Sequence, residues 1–256
     1  MNYNIKKLPI QASRINTVDF NNIPFGKVFS DHIFSADFID GEWTNLTIKP
    51  YERMSFSPAN MTLHYGQSIF EGLKVSSDEN NEPLFFRLEQ HAKRLNKSAW
   101  RMAIPEVPED LFLQAVHELV ELDKNWIPKG EDTALYVRPF VFANDEYIGV
   151  RPAETYKFLI FTCPVGAYYS APVKITTSDY VRAFPGGTGY AKAAGNYAAS
   201  LRPMLDAREQ GYDQVMWLDG FEHKYIHECG TMNLMFVIDG IVVTPPTNTG
   251  EILKGI

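Results

Sequence analysis

The stretch GGTGYAKAAGNY, residues 186–197, sets one lysine, Lys192, among glycines and alanines, with Tyr197 five residues on. Small neighbours let a bulky group approach the backbone closely. An amine in a confined, partly desolvated pocket has its pKa lowered and becomes a nucleophile. Three readings of Lys192 are open: a reactive amine, a phosphate-gripping lysine and a solvated surface lysine. A P-loop lysine follows Gly and precedes Ser or Thr, whereas Lys192 stands between Ala191 and Ala193. The solvated reading is weakened by the small-residue setting. It is weakened further at a helix start, where the positive dipole end disfavours a lysine.

Other charged residues stand in settings that need a partner. Glu228, in YIHECGTMNLMF, falls in a strand pattern just before Gly230. A carboxylate there is either buried and paired or on an exposed edge, and exposure is the usual case. Facing a nitrogen heterocycle, it would hold the ring protonated. Arg138 lies inside the apolar run LYVRPFVF, where a charge needs a partner. A substrate carboxylate would serve, and so would a structural acid. Arg87 follows LFF before a helix pattern, and its planar fork suits phosphate or a surface ion pair. Tyr65, Tyr136 and Tyr168, taken singly, read as core or interface tyrosines. His223 and His227 are four apart but in a strand reading share a face only loosely, so no metal site is expected.

The elements that must position these residues follow from composition and pattern. The 256 residues are 45% hydrophobic, enough for one large domain or two modest ones. A net charge of −7, spread along the chain, argues against nucleic acid as a partner. Two cysteines with no CxxC pairing fit a reducing cytoplasm. The N-terminal segment has no apolar run behind its lysines, and no stretch is long enough for a membrane span. Strands are expected at 25–38, 43–54, 83–88, 132–143, 155–165 and 173–183, and then at 213–218, 223–229, 231–238 and 241–246. Helices are expected after Leu88, over 108–127 and over 197–212, where Pro203 must kink the helix or sit near its start. Asp219-Gly220 and Asp239-Gly240 read as hairpin turns. This mixture of helices and antiparallel hairpins indicates an α+β fold, with domains at 1–168 and 176–256 joined by a small, turn-rich linker at 169–175.

Taken together, GTGYAKAAGNYAAS, ECGTMNLMF, LHYGQSIFEGLK, LYVRPF and CPVGAY resemble the fold-type IV pyridoxal-phosphate enzymes, and among these the branched-chain amino acid aminotransferases. The resemblance runs from about Phe25 to Ile256. It implies a small N-terminal domain and a larger cofactor-binding domain. It places the cofactor lysine on Lys192, the ring-nitrogen carboxylate on Glu228 and the phenolic-oxygen partner on Tyr197. It assigns phosphate contacts to Arg87, Thr231 and the Gly255-Ile256 pair. Substrate contacts fall on Tyr65, Tyr136, Arg138 and Thr231, with Phe25, Phe70 and Tyr168 forming an apolar pocket. The implied reaction is transamination of leucine, isoleucine or valine with 2-oxoglutarate by a cytoplasmic homodimer. Members of the family continue past the position of Ile256, so a truncated large domain with weak cofactor binding is expected. Aminodeoxychorismate lyases share the fold, but YVRPF and CPVGAY fit the transaminases better. A third reading is a fragment that serves only in assembly or binding.

Overall fold

The computed structural model describes every residue except Met1, Tyr168 and Ser170. The expected pocket residue Tyr168 therefore lies outside the described residues. The chain divides into two units, Met1–Tyr168 and Tyr169–Ile256.

In the first unit the strands are β1 (Lys6–Lys7), β2 (His32–Ile39), β3 (Glu42–Pro50), β4 (Ser68–Phe70), β5 (Leu73–Ser77), β6 (Pro83–Phe85), β7 (Ala134–Ala143) and β8 (Tyr156–Val165). The helices are α1 (Met61–Tyr65), α2 (Leu88–Arg101) and α3 (Glu109–Leu122). Among the described residues the strands form one sheet in the order β1-β3-β2-β8-β7-β5-β6, with β4 also paired to β7. Side chains alternate along β7. Leu135, Val137 and Val141 are buried, while Tyr136, Arg138 and Phe140 on the opposite face are half-buried. The first face belongs to the main core, which α2 and α3 complete. They contribute Leu88, Ala92, Leu95 and Ala99, and Leu111, Ala115 and Leu119, at the spacing of a helical stripe. Each buried leucine contributes about 2 kcal/mol of transfer free energy.

The second unit holds β9 (Ile175–Thr177), β10 (Gln214–Leu218), β11 (Ile226–Cys229), β12 (Met232–Asn233), β13 (Phe236–Ile238) and β14 (Ile241–Val243), with α4 (Ala194–Ala198) and α5 (Leu201–Glu209). The sheet order is β12-β11-β10-β9, and β13 and β14 form a separate ribbon. The Asp239-Gly240 hairpin is as expected. Both residues have positive φ, 51° and 78°, and Ile238 pairs with Ile241 across them, which defines a two-residue turn.

Several local expectations are corrected. Asp219-Gly220 is not a two-residue turn. The Asp219 carboxylate accepts backbone N–H bonds from Phe221, Glu222, Lys224 and Tyr225, and so organises a longer loop before β11. Those bonds, that from Tyr225 foremost, hold its pKa well below the usual carboxylate range. The strand expected over 173–183 covers only Ile175–Thr177, because the Ser178 hydroxyl accepts from the Tyr180 N–H and turns the chain. The run 231–238 splits, since Met232–Asn233 pairs with β11 while Phe236–Ile238 pairs with β14. The run 25–38 becomes a strand only at His32, after a turn in which Gly26 has φ 69°. The helix expected over 197–212 is two helices, α4 and α5, with Pro203 in the first turn of α5, where an intrahelical N–H is not needed. The helix expected over 108–127 ends at Leu122, and the Asp123 carboxylate turns instead to the backbone N–H and Nδ1 of His32.

Candidate active site

The residues expected at the site divide between the two units. In the second unit, Lys192 lies just before the Ala193 cap of α4, not inside the helix. Its neighbours Ala191 and Ala193 are buried and Lys192 is half-buried. Asn196 fixes this lead-in: its amide donates to the carbonyls of Thr188 and Ala191, at 2.7 and 2.9 Å, and its Oδ1 accepts from the Thr188 hydroxyl. The backbone that carries Lys192 is thereby folded back onto α4. Lys192 Nζ donates to Tyr197 Oη at 3.1 Å. Glycines permit close packing here. A Cβ on Gly189 would lie 3.0 Å from the carbonyl carbon of Glu251, in overlap with its backbone.

Glu228 is 5% exposed, which overturns the edge alternative for this strand. Gly230, with φ 57°, and Thr231 form the turn between β11 and β12, and that turn places Asn233 directly opposite Glu228. Asn233 Nδ2 donates to Glu228 Oε1 at 3.1 Å. The Arg182 guanidinium pairs with Glu228 Oε2 and also donates to the Glu251 carbonyl at 2.6 Å. Burial pushes the Glu228 carboxyl pKa up, against the opposing pull of the Arg182 and Lys192 charges. A carboxylate oxygen accepts more than one hydrogen bond, so both oxygens keep capacity for a further donor. Arg182 Nε is buried with no hydrogen-bond partner among the described residues. An amine, a phenol and a buried carboxylate gathered in one unit fit a pyridine-aldehyde cofactor, with groups for its aldehyde, its phenolic oxygen and its ring nitrogen. Thr231 is exposed beside Gly230, and Ile256 is half-buried in coil.

In the first unit, β7 brings four of the expected residues together. Arg138 Nη2 donates to Tyr136 Oη at 2.9 Å. The Arg138 guanidinium carbon lies 4.4 Å from the centroid of the Phe70 ring and 5.3 Å from that of Tyr136. The Phe25 ring is 6.0 Å from that of Tyr136. Arg138 thus rests on aromatic faces, and its buried Nε has no hydrogen-bond partner among the described residues. Gly72 makes the Tyr136 position possible: a Cβ there would lie 2.8 Å from Cζ of the tyrosine and nearer still to its oxygen. Tyr65 is exposed at the end of α1 and makes its ring contact with His64. Arg87 is exposed at the cap of α2, with φ 52°.

Sequence reasoning missed Arg182, Asn196, Asn233 and Gly72. A signal existed for Asn233, because Gly-Thr between apolar runs marks a tight turn and sets positions 228 and 233 across from each other. Arg182 carried none, since its partner is 46 residues away.

The family model for amino-transferase class IV matches residues 68–256. Branched-chain-amino-acid aminotransferase 2 of Bacillus subtilis (strain 168) is 49% identical over 243 residues, which are 93% of this chain and 67% of the relative. Among solved structures, Escherichia coli branched-chain amino acid aminotransferase superposes with a TM-score of 0.72 at 30% identity, covering 88% of this chain and 71% of that one. The branched-chain amino acid aminotransferase of T.th., solved in complex with N-(5'-phosphopyridoxyl)-L-glutamate, superposes with a TM-score of 0.68 at 26% identity, covering 86% and 69%. The architecture is α+β of fold-type IV, and the chain spans about two thirds of the length of these relatives. With a family model over most of its residues and close curated relatives over nearly all of them, this chain belongs to the class IV aminotransferases, whose cofactor is pyridoxal phosphate.

Proposed function

We propose that the chain transaminates leucine, isoleucine and valine with 2-oxoglutarate, using pyridoxal phosphate held by its second unit. The observation that carries this reading is the Lys192–Tyr197 hydrogen bond beside a buried Glu228. When bound, the cofactor accepts the electron pair left on the substrate α-carbon and carries the amino group between substrates. Lys192 Nζ is the group that bonds the cofactor and, once free, takes the proton from the α-carbon. Tyr197 Oη orients that amine. Glu228, anchored by Arg182 and Asn233, holds a proton at the ring nitrogen. Arg87, Thr231 and the backbone at Ile256 bind phosphate.

Tyr136 and Arg138 orient substrate carboxylates, with Tyr65 and Thr231 as further contacts. Support comes from the Arg138 Nε, which has no hydrogen-bond partner among the described residues and is a donor suited to a carboxylate oxygen. Phe25, Phe70 and Tyr168 supply apolar contact for a branched side chain. The first unit is the small domain, residues 169–175 the linker and 176–256 the cofactor-binding part. No helix among the described residues is long and apolar enough to cross a membrane, and we place the enzyme in the cytoplasm as a homodimer. The test is to reduce the cofactor-loaded protein with borohydride, map the labelled peptide and assay leucine with 2-oxoglutarate. Label on Lys192 with turnover is expected. Label on another lysine would sink the assignment.

A further inference from the structure

Glu71 is fully buried and lies at a break in the sheet. β4 and β5 run along β7 in one continuous register, Phe70 opposite Phe140 and Leu73 opposite Val137. Between them the Glu71 N–H donates to the Pro139 carbonyl at 2.7 Å. Proline has no N–H to return that bond, so the ladder is weakened where it carries the Arg138 cluster. Alternation puts Phe70 and Gly72 on the cluster side and the Glu71 side chain on the α2 side. There the carboxylate accepts from His91 Nδ1 at 2.8 Å and from Arg94 Nε and Nη2 at 2.7 and 2.9 Å. Burial alone would raise its pKa, but the Arg94 and His91 bonds hold it below the ordinary carboxylate range.

We infer that Glu71 is a positioning residue for substrate-carboxylate recognition: its charge-assisted clamp onto α2 replaces the ladder bond that Pro139 cannot make. Phe70 is thereby held under the Arg138 guanidinium, and Gly72 against the Tyr136 hydroxyl. The inference rests on the proposed reading of Arg138 and Tyr136 as the carboxylate-orienting pair. Sequence offers one hint of the clamp: His91 interrupts the apolar stripe of α2 at a buried position.

The test titrates 2-oxoglutarate into the protein saturated with pyridoxal phosphate, by calorimetry, for the parent, Glu71→Gln, Arg138→Leu and Leu119→Ala. Leu119 is buried in the core part of α3 and has no polar side-chain atom to join the clamp, so its variant reports lost packing and stability. Glu71→Gln is expected to weaken binding by about tenfold, the loss of one charge-assisted bond. Leu119→Ala, with a matched or larger fall in Tm, should bind as the parent does. Equal weakening in Leu119→Ala would reduce Glu71 to a structural role and overturn the inference. So would parental affinity in Glu71→Gln when Arg138→Leu binds poorly. Parental affinity in Arg138→Leu, or no binding by the parent, would overturn the underlying reading instead. If Glu71→Gln does not fold, His91→Ala, which leaves both Arg94 bonds, takes its place with the same comparisons.

Discussion

Gly72→Ala gives the sharpest test of how the first unit shapes its cluster. Gly72 does not have positive φ, so alanine costs no backbone strain and the effect isolates one collision. The new Cβ would stand 2.8 Å from Tyr136 Cζ and 3.2 Å from Cε2. Carbon atoms rest at about 3.5–4.0 Å, and the tyrosine oxygen lies nearer still to the new Cβ, so the side chain must retreat by more than about 1 Å. The Arg138 Nη2 to Tyr136 Oη bond, now 2.9 Å, would stretch past hydrogen-bonding length. Losing a bond to a charged group costs about 1.5–3 kcal/mol, and each 1.4 kcal/mol is about tenfold in affinity. The Michaelis constant for 2-oxoglutarate should therefore rise by about ten- to a hundredfold, with kcat less affected. Steady-state kinetics with leucine saturating and 2-oxoglutarate varied gives the number, and far-UV circular dichroism checks folding. A folded variant with the parental constant would refute the claim that the Tyr136–Arg138 arrangement sets recognition.

Lys192→Ala should fold yet lose essentially all turnover and all borohydride-stable label, read by peptide mass; turnover near the parental rate would remove Lys192 from the chemistry. Glu228→Gln should keep the cofactor absorbance but lose most of the rate, because a neutral amide cannot hold the ring nitrogen protonated, and each pK unit of that pairing is about 1.4 kcal/mol. Parental turnover of leucine would contradict it. His32 titrates above its usual value because Asp123 accepts from its Nδ1 at 2.6 Å, an effect larger than the opposing cost of burial. A raised folded-state pKa stabilises fully below the unfolded value, about 6.5, and that stability is lost as pH rises through the folded pKa. The fall in Tm on moving from about pH 6 to about pH 9 should thus be smaller in His32→Asn than in the parent, and equal slopes would rule out this linkage.

The lysine in its small-residue loop, the strand-borne glutamate and the arginine inside an apolar strand were legible from residue type and neighbours alone. So were the long strands β7 and β8, the helices α2 and α3, and the Asp239-Gly240 turn, because each rests on local periodicity or backbone preference. Some short elements were not legible. The three-residue β9 and the loop at Asp219 are set by side chains that accept from backbone N–H groups, one bond at Ser178 and four at Asp219, which no periodicity announces. Partner identity was decided only by the tertiary structure. Arg182 reaches Glu228, and Glu71 reaches His91 and Arg94, across folded segments. A sequence states which residues need a counter-charge or a donor, since that follows from their chemistry. Which residue supplies it depends on strand register and helix packing, and those are settled by the burial of the whole core.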